Sequence, residues 1–288
     1  MLLTAKMEGL EKSEERVAAA ETGANAASAL ISETDLTSYM YCPRLLFQQK
    51  VLGYEEKLNP AMVLGGIRHK FYDLTNKYEE TIVVHLPETS RETIAEAYSE
   101  SYQNLLRHVV AGHSNSLALF GLAPENVASK LQPIAAAEAS ERAENVYSFA
   151  ANNNVFGEEL WHMLSPKILS ELKVKSPLLR LKGTVDRVEI HPNAILPIEL
   201  KTGKMPSDGV WPAHRVQAAA YMMLLQEKFN TAVTKAVIRY LDHDSSKTVM
   251  LNPYMELEVK ELTEKVIRLL QDNTAPKPCG RISCNCMR

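Results

Sequence analysis

Asp186, Glu199 and Lys201 are the residues of this chain whose types and spacing are best suited to hydrolytic chemistry. They lie in Gly183-Thr184-Val185-Asp186 and Ile198-Glu199-Leu200-Lys201, on either side of the polar break His191-Pro192-Asn193-Ala194. Residues 185–190 and 195–200 read as strands and the break as a hairpin turn. If that turn has two or four residues, Ile190 faces Ile195 and Asp186 falls opposite Glu199. Facing Cβ atoms in an antiparallel pair are about 4.5–5.5 Å apart. Carboxylates that close repel unless a proton or a cation lies between them. Lys201, two residues beyond Glu199, points to the same face. Two acids and a lysine on one face are suited to metal-assisted cleavage of a phosphodiester. Val185, Ile195, Pro197, Ile198 and Leu200 predict a largely buried hairpin, where unpartnered acids are rare.

Two further elements add polar groups. After the turn at 202–209, a helix is expected from Pro212, a residue favoured at the first helical position. His214, Gln217 and Tyr221 share one face of it, and Val216, Ala219, Ala220 and Met223 share the other, which is expected to pack on a sheet. The polar stripe could grip a phosphate backbone and stack a base on Tyr221. Upstream, residues 61–77 read as a helix containing Gly65-Gly66-Ile67-Arg68-His69. Glycine costs about 1 kcal/mol in a helix, so the pair suggests close approach of another backbone. His69 beside it offers an imidazole as a metal ligand.

The elements that must hold these groups are read from the rest of the chain. With 288 residues and 45% hydrophobic composition, the chain can bury a real core. The formal net charge of −3 gives no global sign of nucleic-acid binding. Locally, from Lys167 to Arg215, nine basic residues stand against five acids, and two of those acids are the proposed ligands. That stretch suits a groove that grips phosphates. Residues 1–28 read as a flexible tail, and residues 88–164 as a helical insertion, clearest at 92–108 and 133–151, that walls the site. His108 and His113 lie at no ligand spacing. Glu171, on an expected strand over 168–174, reads as a strand-face glutamate more readily than as an extra site carboxylate. No Gly-x-x-x-x-Gly-Lys loop is present, so ATP-driven unwinding is not expected. With no signal segment and no long apolar run, the chain is expected to be cytoplasmic and free of membrane.

Cys42 stands alone near the start, and Cys279, Cys284 and Cys286 crowd the end. Four thiolates can hold an iron–sulfur cluster or a tetrahedral zinc, and either would tie the chain ends together.

Gly65-x-x-x-His69, Gly183-x-x-Asp186, Glu199-x-Lys201 and Gln217-x-x-x-Tyr221 resemble, in order and rough spacing, the RecB-like branch of the PD-(D/E)xK nucleases. The run from Thr34 to Arg44, with the terminal cysteines, resembles the CRISPR-associated RecB-like exonucleases. The likeness covers roughly residues 30–80 and 165–288. It implies an α/β fold over residues 29–288: a restriction-endonuclease-like core, a mixed central sheet flanked by helices, with a helical insertion and a cysteine-ligated region from 35–52 and 274–288. It further implies Mg²⁺ or Mn²⁺ held by His69, Asp186, Glu199 and the Leu200 carbonyl, with Lys201 acting on the attacking water. His214, Arg215, Gln217 and Tyr221 are expected to contact DNA. Cys42, Cys279, Cys284 and Cys286 are expected to hold a cluster, four-iron rather than two-iron, although Cys-x4-Cys-x-Cys departs from the family's usual spacing and zinc stays open. The implied activity is exonucleolytic trimming of single-stranded DNA ends, supplying fragments to a CRISPR integrase. A repair enzyme of the exonuclease V kind and a catalytically silent DNA-binding scaffold are the alternatives.

Overall fold

The structure is a computed structural model that describes residues 30–272, 274–281 and 284–287. The expected tail over 1–28 lies outside the described residues. In chain order the first elements are β1 (Ile31–Ser32), α1 (Glu33–Tyr41), α2 (Pro43–Lys50) and α3 (Pro60–Val84). Then come α4 (Arg91–Gly112), α5 (Ser114–Ala118), α6 (Pro124–Asn153) and α7 (Gly157–Met163). The remainder holds β2 (Lys167–Ser176), β3 (Leu181–His191), β4 (Ala194–Lys201), α8 (Pro212–Phe229), β5 (Lys235–Tyr240), β6 (Ser245–Met250) and α9 (Pro253–Gln271). A short 3₁₀ turn (Asn285–Met287) follows.

One sheet of six strands runs in the order β1-β3-β4-β5-β6, with β2 also paired to β3. It is mixed: β1 is parallel to β3 and β4 to β5, while β6 returns antiparallel to β5. Parallel neighbours need a crossover, and α8 supplies it between β4 and β5. Pro197 in β4 stands just before the stretch paired with β5, which starts at Ile198. Pro192 and Asn193 alone separate β3 from β4, so the turn is one of the two lengths anticipated. Both strands run slightly longer than expected, and β4 is buried from Pro197 to Leu200.

By backbone contacts the chain divides into two compact units. One comprises the described residues up to 56, residues 172–185 and those from 192 onward. In it a capping box opens α1. Ser32 Oγ accepts the Asp35 N–H at 3.1 Å and Asp35 Oδ2 accepts the Ser32 N–H at 3.0 Å, satisfying donors a helix start leaves bare. Cys42 ends α1 and also caps α2, whose first residue is Pro43. Helix α8 packs on β4 and β5, and α1 and α9 pack on α8. Residues Val216 to Leu225 of α8 are all buried, so the expected polar face does not meet solvent. A helix covered on all sides is buried all round.

The other unit holds residues 57–171 and 186–191. Its heart is α4 against α6, with α3 beside α4. Ile94, Tyr98, Tyr102, Leu106 and Val109 recur at helical spacing on α4, as Val127, Leu131, Ala135, Ala139, Ala143 and Val146 do on α6. That second stripe runs straight past Pro133, so packing outweighs one lost helical hydrogen bond and α6 starts at Pro124 instead of 133. Likewise α3 extends beyond residue 77, because Glu79, Ile82 and Val83 continue its buried face. Glu79 and Arg142 form a buried ion pair, with Arg142 Nη2 2.9 Å from Glu79 Oε2 and the Tyr98 hydroxyl donating to Oε1 at 2.9 Å. The close backbone approach expected at the glycine pair is absent at Gly66, which is exposed; a Cβ there would meet nothing within 4 Å.

Candidate functional site

In the helical unit, His69 from α3, Glu171 from β2 and Asp186 from β3 converge. A ligand atom from each lies within 4.8 Å of the others. His69 Nδ1 stands 3.3 Å from Asp186 Oδ1. Glu171 thus joins the site instead of lying on an ordinary strand face. Its backbone explains why alternation did not foretell this. At φ 51° it is left-handed, a conformation uncommon outside glycine, and this breaks the two-residue period of β2. Burial raises the Glu171 pKa above the usual carboxylate value, and the charges of Asp186 and Asp73 add to it. Asp73 is itself held below its usual value: burial opposes this, but hydrogen bonds from Lys77, Ser170 and Lys70 outweigh it. Crowded acids beside an imidazole are a ready site for a cation.

In the sheet unit, the carboxyl end of β4 presents Glu199 and Lys201. Lys201 Nζ donates to Glu199 Oε1 at 2.6 Å and to Gln217 Oε1 at 2.8 Å. Gln217 Nε2 donates to the Tyr221 hydroxyl at 2.9 Å, and that hydroxyl is 2.8 Å from the Thr184 carbonyl and 3.2 Å from Glu33 Oε1. A side chain at Gly183 would crowd this chain, because a Cβ would stand 2.9 Å from Glu33 Oε2 and 3.1 Å from the Tyr221 ring. Leu200, between the acid and the lysine, is buried. Tyr221 is 2% exposed, so it offers no face for a base to stack on. The helical spacing that grouped Gln217 with Tyr221 marked an internal hydrogen-bond chain rather than a DNA-facing stripe. His214 Nδ1 lies 3.0 Å from the Tyr240 hydroxyl. Burial, aided by the Lys201 charge, pushes the His214 pKa down to about 4. Arg215 Nη2 contacts both oxygens of Glu258, at 3.2 and 3.1 Å.

The four cysteines also come together in the sheet unit, with all four sulfurs within 4.8 Å of one another and Cys279 Sγ 3.5 Å from Cys286 Sγ. Cys42 Sγ sits at the start of α2 and accepts the Leu45 N–H at 3.4 Å. Arg44 holds the terminal segment, donating to the Cys286 and Pro276 carbonyls at 2.8 Å each. Arg281 donates to the Tyr41 carbonyl. Burial pushes the Cys284 thiol up to about 12 and raises that of Cys42, whereas the Arg281 N–H draws Cys279 down to about 7. The donor set suits a thiophilic metal.

A family profile of the PD-(D/E)XK nuclease superfamily matches residues 30–283. The chain belongs to that superfamily. Within it, the chain is similar to a CRISPR-associated exonuclease Cas4/endonuclease Cas1 fusion of Myxococcus xanthus (strain DK1622), at 35% identity over 83 residues. That stretch is 27% of this chain and 14% of the fusion protein. A solved structure described as the crystal structure of SSO0001 aligns over 94% of this chain and 88% of its own, at 14% identity and a TM-score of 0.32. Superfamily members use divalent metals, and His69, Glu171 and Asp186 supply the nitrogen and oxygen donors such an ion takes. No helix among the described residues is long and apolar enough to cross a membrane.

Proposed function

We propose that this PD-(D/E)XK nuclease is a Mg²⁺- or Mn²⁺-dependent DNA exonuclease that shortens single-stranded ends and prepares fragments for CRISPR integration. The observation that carries the reading is the convergence of His69, Glu171 and Asp186. Asp186 and Glu199 lie on the two strands that a two-residue turn joins, and by strand alternation they are proposed to face each other. They are therefore proposed to share the ion, with His69 and the Leu200 carbonyl completing the donors and Glu171 added to them. When bound, the cation supplies a Lewis acid and lowers the pKa of a water. His69 holds the Asp186 carboxylate by its imidazole nitrogen. Glu199 and Gln217 hold the Lys201 ammonium at two of its three donors, leaving the third for an attacking water or a phosphoryl oxygen. Arg215 and the exposed Lys173, Lys175, Lys182 and Lys204 are proposed to contact phosphates without reading sequence, with His214 lining the DNA path as a neutral ring. The likeness to a Cas4/Cas1 fusion protein supports an integrase as partner.

Cys42, Cys279, Cys284 and Cys286 are proposed to hold a metal centre that joins the two ends of the chain, an iron–sulfur cluster by resemblance. The 3.5 Å Cys279–Cys286 separation favours zinc as a second reading. Metal–sulfur bonds of about 2.3 Å place tetrahedral sulfurs about 3.8 Å apart, whereas a four-iron cluster needs them farther apart.

The function is tested on end-labelled single-stranded and blunt duplex DNA, with Mg²⁺, Mn²⁺ or chelator. Metal-dependent shortening that favours single strands is expected. Cleavage unaffected by chelator removes the metal reading, and equal cutting of blunt duplex removes the single-strand preference.

A further inference from the structure

Glu33 has no part in the chemistry above, yet the residue is only 5% exposed and its carboxyl ends the hydrogen-bond chain that holds Lys201. Gly183 lies against it, and a Cβ there would stand 2.9 Å from Glu33 Oε2, so any side chain would have to displace the carboxyl. Among the described residues its hydrogen-bond partners are the Tyr221 hydroxyl and its own main-chain N–H, neither of them a charge. Buried carboxylates without a cationic partner are costly, and the proton is the usual remedy.

Counting donors decides where that proton goes. Lys201 can only donate, so Gln217 must turn Oε1 toward it and Nε2 toward Tyr221. The Tyr221 oxygen therefore accepts from Gln217. The Thr184 carbonyl at 2.8 Å can only accept, so it takes the one phenolic proton. Glu33 Oε1, at 3.2 Å, is left facing a lone pair. An ionised carboxylate there sets acceptor against acceptor, whereas a carboxylic acid donates and satisfies all three contacts.

We infer that Glu33 is held as the neutral acid, donating to Tyr221, and is a positioning residue that fixes Gln217 and through it the direction of the Lys201 ammonium. With three hydrogen bonds the phenol oxygen is locked, and the Gln217 amide with it. A neutral Glu33 also leaves Glu199 as the carboxylate that draws the lysine. Burial raises the Glu33 pKa, Asp35 adds to the rise, and its own N–H, the Tyr221 hydroxyl and Lys201 oppose it.

The inference rests on Lys201 acting at the phosphodiester, so its test has one arm that needs no cleavage. Infrared difference spectra of wild type against Glu33→Gln at neutral pH should show a protonated-carboxyl band in the wild type that shifts in heavy water. In the cleavage assay Glu33→Gln, whose amide can donate to the same oxygen, should keep kcat within about twofold, while Glu33→Leu should lower it about tenfold with KM for DNA unchanged. Tyr221→Phe should lower kcat as Glu33→Leu does, and the double variant no further, which keeps the test sound if Glu33→Leu folds poorly. A missing band, or a glutamine variant as impaired as the leucine one, overturns the inference. A wild type that shows the band but cuts no DNA supports the neutral acid and removes the nuclease reading instead.

Discussion

At the level of single residues, the groups proposed to hold a cation are distinct from those proposed to orient charge. Lys201 belongs to the second kind. Its ammonium is held by Glu199 and Gln217, so Lys201→Ala should leave Mn²⁺ affinity close to wild type while lowering kcat roughly 10²–10³-fold, the loss typical of one charge-stabilising donor. Titration of Mn²⁺ followed by turnover measurements on the same samples checks both halves. His214 makes a prediction in pH. Its folded-state pKa of about 4 lies below the ordinary value of 6.5, so the unfolded chain binds the proton first as pH falls. Its contribution is present above about pH 6.5 and is lost between there and about pH 4. Urea midpoints should therefore fall more steeply from pH 7 to pH 5 in wild type than in His214→Gln. The shared face of Glu199 and Lys201 and the placement of His69 on a helix were legible in the sequence because strand alternation and helical spacing are local. Glu171 was not, since its left-handed backbone breaks the alternation that the reading relied on. Tyr221 was misread because spacing identifies a shared face without saying what covers it.

At the level of elements, position depends on packing that periodicity captures only in part. The hairpin was readable from its two-residue turn and its apolar arms, and α8 from Pro212. The full burial of α8 was not, because it depends on α1 and α9 covering it from distant parts of the chain. Gly183→Ala tests the tightest of these contacts. A Cβ there must displace the Glu33 carboxyl or the Tyr221 ring, which should cost about 1–3 kcal/mol and lower activity as well. In the helical unit the Glu79–Arg142 pair is buried on both sides and ties α3 to α6. Arg142→Leu leaves an unpaired buried carboxylate and should destabilise by about 3–5 kcal/mol, read from denaturant unfolding.

At the level of the whole molecule, the cysteines bring together Cys42 and the distant Cys279, Cys284 and Cys286, as thiolate chemistry and the family resemblance lead one to expect. If the four cysteines hold a metal as proposed, Cys42→Ser and Cys284→Ser should each release it and lower thermal stability together, since ligation and folding are coupled. Elemental analysis of anaerobically purified protein then decides between iron with visible absorbance and one equivalent of colourless zinc. The central claim is that Asp186 and Glu199, from the two arms of one hairpin, hold a single catalytic cation. It is tested most directly by Mn²⁺ binding, followed by electron paramagnetic resonance, in wild type, Asp186→Ala and Glu199→Ala at equal protein concentration. The expected result is that either substitution weakens Mn²⁺ binding and abolishes cleavage. Undiminished Mn²⁺ binding by Glu199→Ala, or DNA cut at the wild-type rate by Asp186→Ala, would contradict the account.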